Sequence, residues 1–180
     1  MRALYHWWEQ ALPAKQCDYL IEQCKSVPAQ KGTVFDESIT NKHRNSNVRW
    51  VQDLPGVKNI LWPYIWEANR SSFNIDIAGI FEVQFAEYDA TEEQYYAWHH
   101  DIDWTQDSGY DRKLSIIIQL SSPEDYEGGD VEFNMFTTPE AFKKRGSVLV
   151  FPSYLTHQVT PVTRGTRYSL VAWVEGPRWR

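Results

Sequence analysis

The chain has 180 residues, a formal net charge of −6 at pH 7 and 42% hydrophobic residues, 15% of the chain being aromatic. That length fits one domain, expected over residues 1–180, able to bury roughly two thirds of its unfolded surface without a disulfide. The aromatic content excludes disorder, the acidic balance argues against a surface built to grip nucleic acid, and no apolar run is long enough to span a bilayer.

The first nine residues lack the continuous apolar stretch of a secretory signal. From Pro13, a favoured first helical position, Cys17, Leu20, Ile21 and Cys24 follow the i, i+3, i+4, i+7 pattern of a helix buried on one face. Its two cysteines stand about 10 Å apart along the axis, too far for a disulfide, so a reducing cytoplasm is the expected compartment. A short extended piece, Val48 to Val51, follows. After Asp53-Leu54-Pro55-Gly56, the residues Val57, Ile60, Leu61, Tyr64, Ile65 and Ala68 predict a second amphipathic helix.

Beyond Arg70 the period changes to two: Ile75, Ile77, Gly79, Phe81, Val83 and Phe85 alternate with a more mixed face. Further β-rich runs cover residues 95–101, 114–120, 131–136, 147–151, 156–159 and 166–174, separated by Gly, Pro, Asp and Ser. Seven or more closely spaced strands after two early helices predict a mainly β fold, a β-sandwich or jelly roll with the helices packed on one sheet.

Residues i and i+2 of a strand share a face, so His99 and Asp101 converge while His100 points away; Asp103 joins them only if the strand continues. His157 follows the strand at 147–151. Two histidines and one carboxylate form the facial donor set that suits non-haem Fe(II), although a surface His-x-Asp pair and a structural histidine would read the same way. Arg167 adds a separate signal. It shares a face with Ser169 in an apolar strand, and a buried guanidinium is costly unless paired. A bound dicarboxylate would pair it in bidentate fashion, as would a protein acid such as Glu82 or Glu132.

His99-x-Asp101, His157 and Arg167-x-Ser169, with Tyr96-Ala97-Trp98 before the first histidine, Arg112-Lys113-Leu114-Ser115, Tyr126-Glu127-Gly128-Gly129-Asp130 and Phe151-Pro152-Ser153, resemble the Fe(II)/2-oxoglutarate-dependent dioxygenases. They look like the prolyl 4-hydroxylase-like branch, over roughly residues 75–177. The resemblance implies a double-stranded β-helix in which His99, Asp101 and His157 bind Fe(II). Arg167 would hold the far carboxylate of 2-oxoglutarate with help from Ser169. Tyr88 matches a cosubstrate-touching tyrosine of relatives, and Gln119 stands where many carry another. It also implies hydroxylation of an unactivated C–H bond with release of succinate and CO2, O2 as second cosubstrate and ascorbate as reductant. The implied substrate is a prolyl residue in a peptide or protein, proline-rich segments included. Trp98, Trp104, Trp50, Tyr95 and Tyr96 are candidates for an aromatic peptide-binding surface, with Arg49 and Arg44 as polar contacts. The competing expectations are a metal-holding or ligand-binding jelly-roll module without turnover, and the same chemistry on nucleic acid. The sequence sets no oligomeric state.

Overall fold

The computed structural model describes residues 3–34, 43–105 and 107–180. Helix α1 (Ala14–Lys25) starts behind Pro13 and buries Cys17, Leu20 and Cys24. Helix α2 (Val57–Ala68) starts after Gly56, which takes a left-handed φ of 81°, and buries Val57, Leu61, Ile65 and Ala68. Both boundaries match the periodicity. Pro63 lies inside α2 and removes one helical donor, which the packed apolar face tolerates.

Among the described residues, twelve strands follow the chain: β1 (His6–Trp8), β2 (Gln30–Lys31), β3 (Arg44–Asn45), β4 (Asn47–Trp50), β5 (Gly79–Asp89) and β6 (Tyr95–His99), then β7 (Tyr110–Gln119), β8 (Tyr126–Gly128), β9 (Val131–Phe133), β10 (Val148–Pro152), β11 (His157–Val159) and β12 (Val162–Pro177). The large sheet runs β1-β10-β7-β12-β5-β4-β2 with β8 attached to β12, and the small sheet runs β3-β6-β11-β9. Together they make the expected jelly roll, with both helices packed on the outer face of the large sheet.

Period two decides what each face of the large sheet carries. Val83 and Phe85 of β5, Leu114, Ile116 and Ile118 of β7, and Leu170, Ala172 and Val174 of β12 pack against Leu20, Leu61 and Ile65 of the helices. The alternate residues, among them Gln84, Tyr88, Ser115, Ile117, Arg167 and Ser169, face inward toward the small sheet.

Several expected strands differ in extent, β7 and β12 beginning earlier than expected, at Tyr110 and Val162. The run from Ile75 becomes a strand only at Gly79, because the Asn69 side chain takes both backbone groups of Ile75, at 2.9 and 3.0 Å, before any strand does. The strand expected at 131–136 ends at Phe133, and that expected at 95–101 ends at His99. β1, β2, β3 and β8 have no counterpart in the sequence reading, since two or three residues make no period.

Candidate metal centre

His99, Asp101 and His157 each offer a donor atom, and these atoms lie within 4.8 Å of one another. Nε2 of His99 stands 3.7 Å from one oxygen of Asp101, and Nε2 of His157 stands 3.8 Å from the other. Each imidazole turns its other nitrogen to a carbonyl two residues back: His99 Nδ1 to Ala97 at 2.7 Å and His157 Nδ1 to Leu155 at 3.0 Å. A carbonyl only accepts, so Nδ1 carries the proton and Nε2 keeps a lone pair directed at the shared centre. Asp101 is fixed equally well. Its Oδ2 accepts from Ser115 Oγ at 2.6 Å, its amide donates to the Ser153 carbonyl at 2.9 Å, and its own carbonyl accepts from Arg112 at 3.2 Å.

The electrostatics suit a cation. Burial first, and then the neighbouring His157, push His99 down to about 3 against the pull of Asp101, so its imidazole is neutral at pH 7. Burial pushes the Asp101 carboxyl up, but the two histidines, the Ser115 hydroxyl and Arg112 outweigh it and hold it below the usual range. Neutral imidazoles and an ionised carboxylate are the forms that bind a metal.

The sequence reading placed His99 and Asp101 on one continuous strand, and here the structure corrects it. Asp101 lies beyond the end of β6, held by Ser153 and Ser115 rather than by the ladder. A bulge does the rest. His157 pairs with His99 and Val159 with Tyr96, so the single residue Gln158 of β11 faces two of β6, Ala97 and Trp98. The extra residue brings Tyr96 and His99 onto the same side, where their rings stack at 3.4 Å. Arg44 lies over the Tyr96 ring at 4.4 Å, and burial pushes the Tyr96 phenol up to about 12. Asp103 is not part of the cluster: its carboxylate caps Thr105 at 2.6 and 2.9 Å.

Arg167 enters the same pocket from β12 and is only 2% exposed. Neither expected protein acid reaches it, because Glu82 pairs with Arg112 and Glu132 with Gln158. Among the described residues no hydrogen bond or ion pair engages its guanidinium; Tyr88 presents its ring at 5.8 Å. Tyr88 and Ser169 also line the pocket, with hydroxyls that make no hydrogen bond among the described residues. A buried, unpaired guanidinium is a standing cost that a carboxylate ligand removes. The donor set and this guanidinium therefore fit a ferrous ion with a diacid beside it.

Other candidates fall elsewhere. Gln119 faces inward but does not line the pocket; its amide donates to Tyr126 Oη at 2.8 Å and to the Ser121 carbonyl at 3.3 Å. Arg49 lies on the helix side of the sheet, bonded to Val27 O at 3.0 Å and Glu87 at 2.9 Å, because one step along β4 turns a side chain to the opposite face. Trp50 is on the inner side, with its ring 6.2 Å from Trp173, which lines the pocket. Trp104 is exposed on the segment after Asp101, its ring 6.2 Å from that of His100. Trp98, at the bulge, lines a second cavity of about 520 Å3 with Phe133, Phe136 and Phe142. Val131 is common to that cavity and the metal pocket. Gln84 and Trp173 are pocket walls that the sequence reading missed. Counting in twos from Tyr88 and Arg167 would have found both.

The sequence model of the 2OG-Fe(II) oxygenase superfamily matches residues 83–175. A PKHD-type hydroxylase of Synechococcus sp. (strain JA-2-3B'a(2-13)) is 40% identical over 63 residues, 34% of this chain. The match spans only 28% of that relative's length. Among solved structures, a viral collagen prolyl hydroxylase from Paramecium Bursaria Chlorella virus-1, in complex with 2OG, superimposes with a TM-score of 0.72 at 24% identity over 97% of each chain. A prolyl hydroxylase from Trichoplax adhaerens, in complex with a hypoxia inducible factor peptide fragment, gives 0.73 at 18% identity, covering 95% of this chain and 83% of that one. At such identities these structures share the fold. With the family match spanning more than half of its length, from the strand of Tyr88 through that of Arg167, the chain belongs to the 2OG-Fe(II) oxygenase superfamily.

Proposed function

We propose that the chain is an Fe(II)- and 2-oxoglutarate-dependent dioxygenase, its residues 1–180 forming one such domain with a motif-bearing core at 75–177. It hydroxylates an unactivated C–H bond, that of a prolyl residue in a peptide or protein, and releases succinate and CO2. The observation that carries this reading is the convergence of His99, Asp101 and His157 beside the buried Arg167, whose guanidinium no described residue pairs. A mere metal-holding module has no use for that guanidinium.

Fe(II) bound at this centre supplies O2 activation, with 2-oxoglutarate as the electron donor and ascorbate keeping the metal reduced. The protein contributes position. His99 Nε2, His157 Nε2 and an Asp101 oxygen would hold the ion, and Ser115 stops the carboxylate from swinging away. Arg167 anchors the far carboxylate of the diacid, while Tyr88 and Ser169 offer it hydroxyl donors. The space between these groups measures about 30 Å3, so side chains must part to admit the diacid. The apolar walls Ile117, Val131 and Val171 keep water from the reacting centre. A peptide would reach the metal from the wider cavity lined by Trp98, whose aromatic side chains suit a prolyl ring.

The test is mass spectrometry of proline-containing peptides incubated with the protein, Fe(II), 2-oxoglutarate and O2, with succinate followed in parallel. Gain of one oxygen on a prolyl residue, matched by succinate, supports the reading. Succinate without peptide oxidation keeps the cosubstrate chemistry and rejects the prolyl substrate. Neither product rejects both.

A further inference from the structure

Gln119 occupies the place where relatives were expected to carry a cosubstrate-touching tyrosine, yet its amide is already spent. Its Nε2 lies 2.8 Å from Tyr126 Oη and 3.3 Å from the Ser121 carbonyl. The carbonyl fixes which way the amide faces, since the flipped form would set two acceptors against each other. The Tyr126 oxygen must then accept from Gln119, which leaves the phenol hydrogen to be donated elsewhere. No described residue accepts it. Tyr126 is 5% exposed, so that hydrogen does not simply face bulk water.

The same phenol ring runs beside Arg167. Tyr126 pairs with Gly165, two residues before Arg167 on β12. Gly129 takes a left-handed φ of 63°, and a Cβ there would come within 2.8 Å of Arg167 Cδ and 3.5 Å of Tyr126 Cε2. A glycine is required there by the positive φ and by Arg167 Cδ and Val162 Cγ2, which a Cβ would meet at 2.8 and 2.9 Å, while the Tyr126 ring stands at ordinary contact distance. Among the described residues, a buried O–H without an acceptor and a buried guanidinium without an anion thus belong to two side chains that both lie against Gly129. One carboxylate answers both.

We propose that Tyr126 is a cosubstrate-binding residue, its phenol donating to the far carboxylate of 2-oxoglutarate beside Arg167, with Gln119 the positioning residue that turns the phenol hydrogen toward it. This rests on the 2-oxoglutarate reading above. It assigns the tyrosine to β8 instead of to the strand that carries Gln119.

The experiment is anaerobic titration calorimetry of the Mn(II)-loaded protein with 2-oxoglutarate and with pyruvate, a 2-oxo acid that lacks the far carboxylate. Tyr126→Phe keeps the ring and should weaken 2-oxoglutarate roughly ten- to a hundredfold, the loss of a hydrogen bond to a charged group, while pyruvate is unaffected. Gln119→Leu keeps the phenol but frees it to turn, and should weaken 2-oxoglutarate only several-fold, again without change for pyruvate. If Tyr126→Phe does not fold, as judged by its melting transition, Gln119→Leu decides alone. Equal 2-oxoglutarate affinity in wild type and the folded variants overturns the role of Tyr126 and leaves the function intact. A variant that weakens both acids alike marks a structural role and also overturns it. Failure of the wild type to bind either acid rejects the function reading, and the assignment of Tyr126 falls with it.

Discussion

The two faces of the large sheet are built from the same strands and differ in how many polar groups they bury. Toward the helices, Val83, Phe85, Leu114, Ile116, Leu170 and Ala172 form a continuous apolar layer in which each side chain has many neighbours. Toward the small sheet, their immediate sequence neighbours Gln84, Ser115, Ser169 and, a little further along, Arg167 are buried polar groups. Burying the first set is favourable at about 25 cal/mol per Å2, whereas burying the second set costs energy wherever a partner is missing. One face thus supplies the stability that the other spends on the site, and a shift of one residue separates the two roles.

That division can be broken most severely at Asp101. Asp101→Ala removes the one anionic donor and leaves only the two imidazoles, so Mn(II) binding measured by calorimetry should vanish while the melting transition of the metal-free protein persists. Retained binding at one ion per chain would move the centre elsewhere.

On the opposite face, Leu170→Ala should cost about 2–5 kcal/mol in denaturant unfolding through the cavity it opens, with metal affinity unchanged in the folded protein. A parallel loss of metal affinity would show that the faces are not independent.

Arg167→Met sharpens the contrast because it should act in opposite directions on the two properties. Diacid affinity should fall by roughly a hundredfold, about 2–3 kcal/mol, and the metal-free protein should melt at an equal or higher temperature, since an unpaired buried charge is gone. Marked destabilisation would mean that a protein partner holds the guanidinium.

The smallest effect concerns pH. The unfolded chain protonates His99 near 6.5, while the folded chain keeps it neutral down to about 3. The unfolded state therefore binds the extra proton between these values, and the metal-free fold should lose stability as pH falls through that window. His99→Gln should flatten this slope in unfolding measured from pH 7 to 4; an identical slope would assign it to other groups.

Much of this was legible in the residues. Both helices declared themselves through their apolar period, and the inward face of β12 through the spacing of Arg167 and Ser169. The donor set was legible by type, but the reason for its convergence was not. His99 pairs with His157 beyond a bulge in β6, and the Ser115 and Ser153 contacts turn Asp101 to the same centre, and neither feature leaves a period in the sequence. Arg49 was misplaced by a single register step, which only the pairing of β4 with β5 decides. Tyr126 escaped notice as a ligand group because its role depends on a partner, Gln119, on a different strand.

The most direct test of the central claim is a crystal structure of the protein grown anaerobically with Mn(II) and 2-oxoglutarate. One ion held by His99, Asp101 and His157, with the diacid chelating it and its far carboxylate on Arg167, is the predicted result. An ion bound by other residues, or a diacid whose far end lies away from Arg167, would contradict it.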